Sequence, residues 1–235
     1  MTDRVGLGQL RGYFPQQRMS TYLLPLPDHG LLYVKNPKAA CSTLLFWLDL
    51  LHTGDDTFAP HSVHKEHRLP RIRDVGRDRV AEMLGGAAYR FSFVREPRRR
   101  LESAYWDKIV AKAPRWHARV QTALGVPVDL DAEISFEEFV SAIEQQHPVE
   151  EMDPHWRPQH VNLLHPVVTY DHVGHLETFD ADLARVRDEA GLPDVPVRDR
   201  NVQHQPVRAS VYDGRPDLVR RVETLYALDM ELYGY

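Results

Sequence analysis

The sequence predicts an α/β fold: a single domain with a central parallel sheet flanked by helices. Short apolar runs, typical of buried strands, alternate along the chain with longer segments of helical periodicity. The 235 residues, 43% of them hydrophobic, are enough for one large domain with a substantial core. No linker, internal repeat or low-complexity segment interrupts this alternation, so we expect one domain over residues 1–235.

Three short strands are predicted. The first is the apolar run Leu31–Val34, the second is the aromatic run Tyr89–Val94, and the third lies within Val167–Glu177. Residues 1–29 give only weak signals, so this N-terminal segment is left without assigned elements.

Apolar periodicity and end signals predict five helices between and after these strands. The first covers Cys41–Leu51 and is apolar almost all round, as in a buried helix. Proline at the first helical position opens the second helix at Pro97 and the last at Pro216. A capping box opens the third, Ser135–Gln146, and Gly191 ends the fourth.

Bulk composition narrows the function classes. The net charge of −5 argues against a nucleic-acid partner. The single cysteine, Cys41, excludes an intrachain disulfide and suits a reducing compartment. No apolar run approaches the roughly 20 residues of a membrane span, and the N-terminus lacks the basic-then-apolar order of a signal peptide. We therefore expect a soluble, cytoplasmic protein without a membrane span.

The segment YVKNPKAACSTLLFWL, Tyr33–Leu48, predicts a strand, a loop of small residues and a helix. Backbone N–H groups at a helix N-terminus attract anions, provided that the surrounding side chains are small. Both glycines and the magnesium-holding Lys-Ser/Thr step of a GxxxxGK[ST] loop are absent. We predict an anion site without a metal; an ordinary N-capped core helix is the alternative. The candidate binding residues are Lys35, Lys38, Ala39, Ala40, Cys41, Ser42 and Thr43.

A second segment, FVREPRRRLESAYWDK over Phe93–Lys108, predicts a strand end, a turn and a helix. Arg95 follows the strand, and Ser103 lies about two turns along the helix. An arginine fork with a hydroxyl nearby can hold a phosphate through two parallel hydrogen bonds. The alternative is a salt-bridged surface helix. The run Arg98–Arg100 is partly that, since three consecutive residues cannot all face one ligand.

Together the two segments resemble the Golgi carbohydrate sulfotransferases, the group that includes the chondroitin and dermatan 4-O-sulfotransferases and the uronyl 2-O-sulfotransferases. NPKAACSTL resembles their 5′-phosphosulfate loop, and an arginine followed eight residues later by a serine resembles their 3′-phosphate motif. Further similar stretches are SVHK from Ser62, DPHWRPQ from Asp153, YDHVGHLET from Tyr170 and the ending LYALDMELYGY. The resemblance implies a P-loop-like sulfotransferase fold, with 3′-phosphoadenosine-5′-phosphosulfate (PAPS) as co-substrate and no metal.

The resemblance also implies roles for single residues. Lys38 matches the family's loop lysine, and a lysine there can stabilise the charge that develops on the leaving phosphate oxygen. His64 in SVHK occupies the place of a catalytic histidine, and His155 in DPHWRPQ is its rival as general base. Trp156 and Arg157 are expected to border the acceptor or cofactor cleft.

The motifs do not specify the acceptor, and both a glycan and a small hydroxyl-bearing molecule fit them. The chain shows no membrane anchor or stem of the Golgi kind, which fits a cytoplasmic enzyme of bacterial type. The polar segment Arg200–Arg208 is expected to close over the nucleotide, with a plain connecting loop as the alternative. Asp129–Asp153 carries nine acids and no Lys or Arg. If Glu137, Glu138 and Glu144 face the cleft, they would favour a neutral or cationic acceptor.

Two other function classes stay open. A kinase-like, nucleotide-dependent phosphoryl-transfer enzyme is disfavoured by the missing GK[ST] step. A non-catalytic nucleotide-binding module is disfavoured because Lys38, Arg95, Ser103 and His64 are all present. The sequence gives no indication of the oligomeric state.

Overall fold

A computed structural model describes residues 6–14, 19–197 and 209–235, so that the predicted closing segment at residues 200–208 lies outside the described residues. The described part contains a sheet of four strands in the order β1 (Leu23–Leu26), β2 (Leu31–Val34), β3 (Tyr89–Val94) and β4 (His172–His175). The last three are parallel, and β1 pairs antiparallel with β2. The α/β fold class and the three predicted strands are confirmed, although the sheet is mixed.

Strand β1 was not predicted, and its sequence explains why. Its four residues, LLPL, contain Pro25, which cannot donate a ladder hydrogen bond and is normally confined to edge strands. Pro25 lies opposite Leu32, and β1 is at the edge of the sheet. The proline within this short apolar run therefore argued against a strand that the structure contains.

Helices cover most of the remaining described chain. In chain order they are α1 Cys41–Thr53, α2 Val63–Glu66, α3 Ile72–Val75, α4 Arg77–Glu82, α5 Pro97–Ala104, α6 Pro114–Ala123, α7 Phe136–Glu144, α8 Gln159–Asn162, α9 Phe179–Glu189, α10 Pro216–Leu225 and α11 Ala227–Tyr233. Turns of π-helix continue α4 and α5, at Met83–Ala87 and Tyr105–Val110. Single 3₁₀ turns lie at Gln9–Tyr13, Met19–Thr21, Pro27–His29, Val149–Glu151 and Leu176–Thr178. The five predicted helices correspond to α1, α5, α7, α9 and α10.

The chain divides into two compact units. Unit 1 consists of Met1–Val94 and Asn162–Gln205, and unit 2 consists of Arg95–Val161 and Pro206–Tyr235. The sheet belongs entirely to unit 1. The organisation of residues 1–235 as one domain stays a prediction.

The core of unit 1 packs α1 and α9 against aromatic strand residues. Tyr33 stacks on Phe91 with ring centroids 5.1 Å apart, and the Phe93 ring lies 5.1 Å from that of Phe179. Strand β4 approaches this cluster so closely that a Cβ on Gly174 would lie 2.6 Å from the Phe93 ring. Only glycine fits there without displacing the aromatic layer.

Unit 2 has its own aromatic core, built around α7. The predicted capping box is present, because the Ser135 hydroxyl accepts from the Glu138 amide at 3.2 Å while the Glu138 carboxylate accepts from the Ser135 amide at 2.7 Å. The apolar stripe that follows is buried, and Phe139 packs edge-on against Trp156, with centroids 5.4 Å apart. Tyr105 contacts Phe139 with centroids 5.7 Å apart.

Candidate active site

The loop between β2 and α1 forms a sharp turn without glycine. Lys38 and Ala40 both have positive φ angles, 70° and 56°, in the left-handed region that side chains normally avoid. Asn36 is fully buried and holds the start of the loop, since its amide nitrogen donates to the Phe93 carbonyl at 3.0 Å and its amide oxygen accepts from Asn162 at 3.1 Å. The chain therefore adopts a strained backbone conformation with non-glycine residues at positions where a phosphate-binding loop usually has glycine.

The loop ends at a helix N-terminus lined by small residues. The Leu44 amide donates to the Ala40 carbonyl at 3.0 Å, and the amides of Cys41, Ser42 and Thr43 precede this bond. Helical geometry gives those three amides no acceptor, and the helix dipole adds partial positive charge at the same place. The predicted anion site therefore has the backbone donors that it requires.

Lys35 adds a buried cation close to this helix start. It is only 5% exposed, and its Nζ lies 5.1 Å from the centre of the Tyr22 ring. Within the described part of the chain, no carboxylate pairs with it. Burial lowers the pKa of Lys35, and the nearby Cys41 thiol acts in the opposite direction. Such burial excludes a surface lysine that merely snorkels into solvent.

His64 lies directly against the first turn of α1, where the loop ends. It is exposed on the four-residue helix α2, and its Nε2 is 2.9 Å from Oγ of Ser42. The structure therefore brings a sequence-predicted base together with a sequence-predicted anion-binding residue. The 2.9 Å separation is a hydrogen-bond distance, so the ring nitrogen lies beside the helix start at which we expect an anion to bind.

An ion pair between a buried carboxylate and an exposed arginine anchors the segment that carries His64. Asp49 on α1 is fully buried and accepts from the Arg68 backbone amide at 2.6 Å, from Nε at 3.0 Å and from Nη2 at 2.5 Å. The Arg68 guanidinium also lies 4.3 Å from the centre of the Phe58 ring. Sequence reasoning missed this pair, although a lone acid in an otherwise apolar helix is a signal that it is buried and paired.

The second motif begins immediately after β3. The backbone of Arg95 is held by the buried Gln159 side chain, which accepts from the Arg95 amide at 3.0 Å and donates to the Arg95 carbonyl at 2.8 Å. Glu96 caps α5 by accepting from the Arg98 and Arg99 amides. Ser103 is half-buried near the end of α5.

The arginine run after Arg95 is divided in function, as expected. Arg98 forms ion pairs with Glu96 at 2.9 Å and Glu223 at 3.3 Å. Arg100 is buried and donates to the carbonyls of Pro154 and Arg157, at 2.8 and 2.9 Å. Arg99 is exposed.

His155 is oriented by a carboxylate. Its Nδ1 lies 2.6 Å from Oδ1 of Asp153, while Oδ2 of the same carboxylate accepts from Nε1 of Trp116 at 3.0 Å. Burial would by itself raise the pKa of Asp153, yet hydrogen bonds from His155 outweigh it and hold the pKa below its ordinary value. Asp153 lies two residues before His155 in DPHWRPQ, so its role could have been suspected, whereas nothing in the sequence pointed to Trp116.

Two residues that were expected to border a cleft lie in the interior. Trp156 and Arg157 are fully buried. The Trp156 indole packs on Phe139 and donates to Gln146 at 3.1 Å, and Arg157 donates to the Glu150 carbonyl at 3.0 Å. The expectation is wrong because these side chains hold their segment from inside rather than presenting it to a ligand.

The acidic face of α7 is compensated. Glu137 pairs with Arg215 at 2.8 Å, and Glu144 pairs with Arg221 at 2.6 Å. Glu138 accepts in the capping box at Ser135. Glu137 and Glu144 therefore do not offer the uncompensated charge that would repel an anionic acceptor, whereas Glu138 keeps its charge and is bound to neutral donors.

Comparison with known proteins places the chain in a family. A sequence model of the sulfotransferase family matches residues 23–235. The chain belongs to the sulfotransferase family. It is 28% identical to carbohydrate sulfotransferase 14 of Danio rerio, over 94% of this chain and 64% of the relative. It is 27% identical to human carbohydrate sulfotransferase 8, over 88% of this chain and 54% of the relative.

A third relative, carbohydrate sulfotransferase 11 of Mus musculus, is 28% identical over 70% of this chain and 51% of its own length. The chain therefore spans 51% to 64% of these three sulfotransferases. No solved structure matches it. None of the described helices is long and apolar enough to cross a membrane. The described residues also contain no group of three or more His, Cys, Asp and Glu placed to hold a metal ion.

Proposed function

We propose that this sulfotransferase moves a sulfuryl group from PAPS to a hydroxyl of a glycan. The observation that carries the proposal is the buried Lys35 cation, which has no carboxylate partner among the described residues and lies close to the start of α1. A buried cation is costly unless an anion compensates it, and a phosphosulfate would supply that charge. The family match and the carbohydrate sulfotransferases among the relatives support the same donor and acceptor classes.

The loop residues would bind the phosphosulfate end of the donor. The amides of Cys41, Ser42 and Thr43 would donate to its oxygens, and the small side chains of Ala39 and Ala40 would leave room for them. Side-chain charge would complement these backbone donors. Lys38 would donate to the bridging oxygen, where negative charge develops as the bond to sulfur breaks, and Lys35 would balance the charge from within.

His64 would act as the base in an in-line displacement. The acceptor hydroxyl loses its proton to the imidazole, its oxygen forms the new bond to sulfur, and the bond between sulfur and the 5′-phosphate oxygen breaks. The contact between His64 and Ser42 supports this role, because it puts the ring beside the residues that would hold the sulfuryl group. His155 stays the alternative base, supported by its bond to Asp153.

Arg95 and Ser103 would bind the 3′-phosphate, as the family motif implies. The double hydrogen bond from Gln159 fixes the Arg95 backbone, so the guanidinium would start from a defined position. Turnover without a metal and a cytoplasmic location stay predictions.

Calorimetry with 3′-phosphoadenosine-5′-phosphate tests the donor site. Charge-assisted hydrogen bonds contribute about 1.5–3 kcal/mol, so Arg95→Ala should weaken binding by roughly one to two orders of magnitude. The loss should be much smaller for the nucleotide that lacks the 3′-phosphate. Arg99→Ala, which removes an exposed arginine of the same run, is the matched control and should change neither affinity. Equal losses for both nucleotides in Arg95→Ala would show that Arg95 serves structure instead.

A turnover assay separates the function classes. We expect sulfated product, identified by mass, from PAPS and a panel of oligosaccharides, with the same rate in the presence of EDTA. Phosphoryl transfer from ATP that requires magnesium, without turnover of PAPS, would favour the kinase-like alternative. Tight nucleotide binding without turnover of any glycan or small hydroxyl-bearing acceptor would favour the non-catalytic module.

A further inference from the structure

The last helix of unit 2 places a buried carboxylate against the start of another helix. Asp229 on α11 is fully buried, and its two oxygens accept from the first two backbone amides of α8, from Gln159 at 2.6 Å and from His160 at 2.8 Å. The His160 imidazole adds a third contact, with Nδ1 2.7 Å from Oδ1. A helix leaves its first amides without intrahelical acceptors, and an ionised acceptor forms the stronger hydrogen bonds. Asp229 therefore fixes the first turn of α8 from a distant part of the chain.

A second contact from the same C-terminal segment reinforces the first. Tyr226, the residue before α11, is buried, and its hydroxyl donates to the Trp156 carbonyl at 2.5 Å. Residues 156–160 are thus held at two points by Tyr226 and Asp229. Both contacts join residues 70 positions apart, so no local pattern in the sequence predicts them.

Gln159 connects this anchored turn to Arg95. Its fully buried side chain accepts from the Arg95 amide at 3.0 Å and donates to the Arg95 carbonyl at 2.8 Å. The backbone of Gln159 is held by Asp229, while its side chain holds the backbone of Arg95 on both sides of the Cα atom. Displacement of the α8 turn would therefore displace or break both bonds to Arg95.

We propose that Asp229 is a positioning residue for the binding of the donor's 3′-phosphate, acting through Gln159 on Arg95. The proposal rests on the proposed function, which assigns Arg95 to that phosphate. A guanidinium binds a phosphate through two parallel hydrogen bonds only within a narrow range of directions. A fixed backbone at Arg95 limits the directions that its side chain takes, so less freedom is lost on binding. Asp229 is fully buried and thus contributes to selectivity for the 3′-phosphate without contacting the nucleotide.

Calorimetry with two nucleotides tests this role. One is 3′-phosphoadenosine-5′-phosphate, and the other is adenosine 5′-phosphate, which lacks the 3′-phosphate. Asp229→Asn keeps the size of the side chain but replaces one accepting oxygen with a donor, and it should weaken binding of the first nucleotide about five- to tenfold. Gln159→Leu removes both bonds to Arg95 and should have an effect of about the same size. The affinity for adenosine 5′-phosphate should change less than about twofold in both variants.

Gln121 on α6 provides a matched control, because it is a buried amide that engages the backbone in the same way. It donates to the Asp129 carbonyl at 2.8 Å and accepts from the Asp129 amide at 3.0 Å. Gln121→Leu should lower the unfolding temperature about as much as Gln159→Leu does and should leave both nucleotide affinities unchanged. A loss of selectivity for the 3′-phosphate in Gln121→Leu would overturn the proposal, because any weakened buried amide would then have the same effect.

A double-mutant cycle shows whether Asp229 acts through Arg95. In the Arg95→Ala background, Asp229→Asn should change the affinity for 3′-phosphoadenosine-5′-phosphate less than about twofold, since the group that it positions is already absent. A further loss of about five- to tenfold in the double variant would overturn the proposal and assign Asp229 to general stability. If circular dichroism shows that Asp229→Asn does not fold, Gln159→Leu in the same background provides the cycle.

The same measurements separate this proposal from the proposed function. If Arg95→Ala loses the preference for the 3′-phosphorylated nucleotide while Asp229→Asn and Gln159→Leu keep it, the donor site stands and the positioning role fails. If the wild type has no such preference, the donor site fails and the positioning role fails with it. If the expected changes in affinity occur but no acceptor is sulfated, the positioning role stands and the proposed activity fails.

Discussion

His64 and His155, the two candidate bases, are held in opposite ways. His64 is exposed, and its Nε2 lies 2.9 Å from the neutral hydroxyl of Ser42. His155 is mostly buried, and its Nδ1 lies 2.6 Å from the carboxylate of Asp153. A carboxylate can only accept, so it places the proton of a neutral His155 ring on Nδ1, whereas a hydroxyl can donate or accept and leaves the tautomer of His64 unset.

The difference separates two requirements for a general base. His155 has the fixed orientation that a carboxylate partner provides, and His64 has the contact with the anion-binding loop. Reach to the proton that is removed comes before orientation in choosing a base, so the contact with Ser42 supports the proposal of His64. The orientation of His155 then suits a residue that holds an acceptor in one pose.

Removal of each imidazole gives the largest expected effect. A lost general base typically costs about 10²–10⁴ in rate, so His64→Ala should reduce kcat by that factor. Affinity for 3′-phosphoadenosine-5′-phosphate should stay nearly unchanged. His155→Ala should instead raise KM for the acceptor more than it lowers kcat. Kinetics of both variants, with calorimetry for the nucleotide, provide the measurement.

The reverse pattern would break the comparison. If His155→Ala loses the rate and His64→Ala only loses acceptor affinity, the orienting carboxylate marks the base and the loop contact does not.

Sequence reasoning succeeded where local chemistry determines the structure. The strand, turn and helix at Tyr33–Leu48 follow from apolar runs and a loop of small residues, and the cap at Ser135 follows from residues three apart. The contact between Ser42 and His64 was implied only by resemblance, since no pattern in the sequence relates residues 22 positions apart. The burial of Trp156 and Arg157 was not predicted, because their expected place at the cleft came from the resemblance alone and no local pattern marked them as core residues.

Substitution of Asp49, which anchors the segment that carries His64, should have a smaller effect on kcat than removal of the imidazole. Asp49→Asn removes the charge that binds the amide and guanidinium of Arg68, four residues after His64. Because the segment then holds its position less tightly, kcat should fall about tenfold while nucleotide affinity stays. Asp55→Asn, which removes the charge of the exposed partner of Arg68 at 2.7 Å but keeps an oxygen that can accept from Thr57, is the control and should have little effect.

A positioning role and a general loss of folding predict different readouts for Asp49→Asn. Positioning predicts a loss of kcat in protein that remains folded at the assay temperature, as shown by circular dichroism. A fall in the unfolding temperature with unchanged kcat would show that the ion pair serves stability alone.

His117 completes the comparison as a third histidine, whose ring has no polar partner in the described part of the chain. It lies on α6 next to Trp116, is fully buried, and neither ring nitrogen is hydrogen-bonded there. Gln121, one turn along the same helix, is also buried but donates to the Asp129 carbonyl at 2.8 Å and accepts from the Asp129 amide at 3.0 Å. Both side chains are buried, but only that of Gln121 has hydrogen-bond partners for its polar atoms.

His117→Leu is therefore expected to have the smallest effect, and one of opposite sign. A buried polar group without a partner costs about 1–3 kcal/mol, so an apolar side chain of similar volume should raise the free energy of unfolding by about 1 kcal/mol and leave kcat unchanged. Gln121→Leu breaks two hydrogen bonds and should lower stability by a similar amount. Chemical denaturation of both variants provides the measurement. Destabilisation by His117→Leu would contradict the prediction and show that the imidazole stabilises the fold.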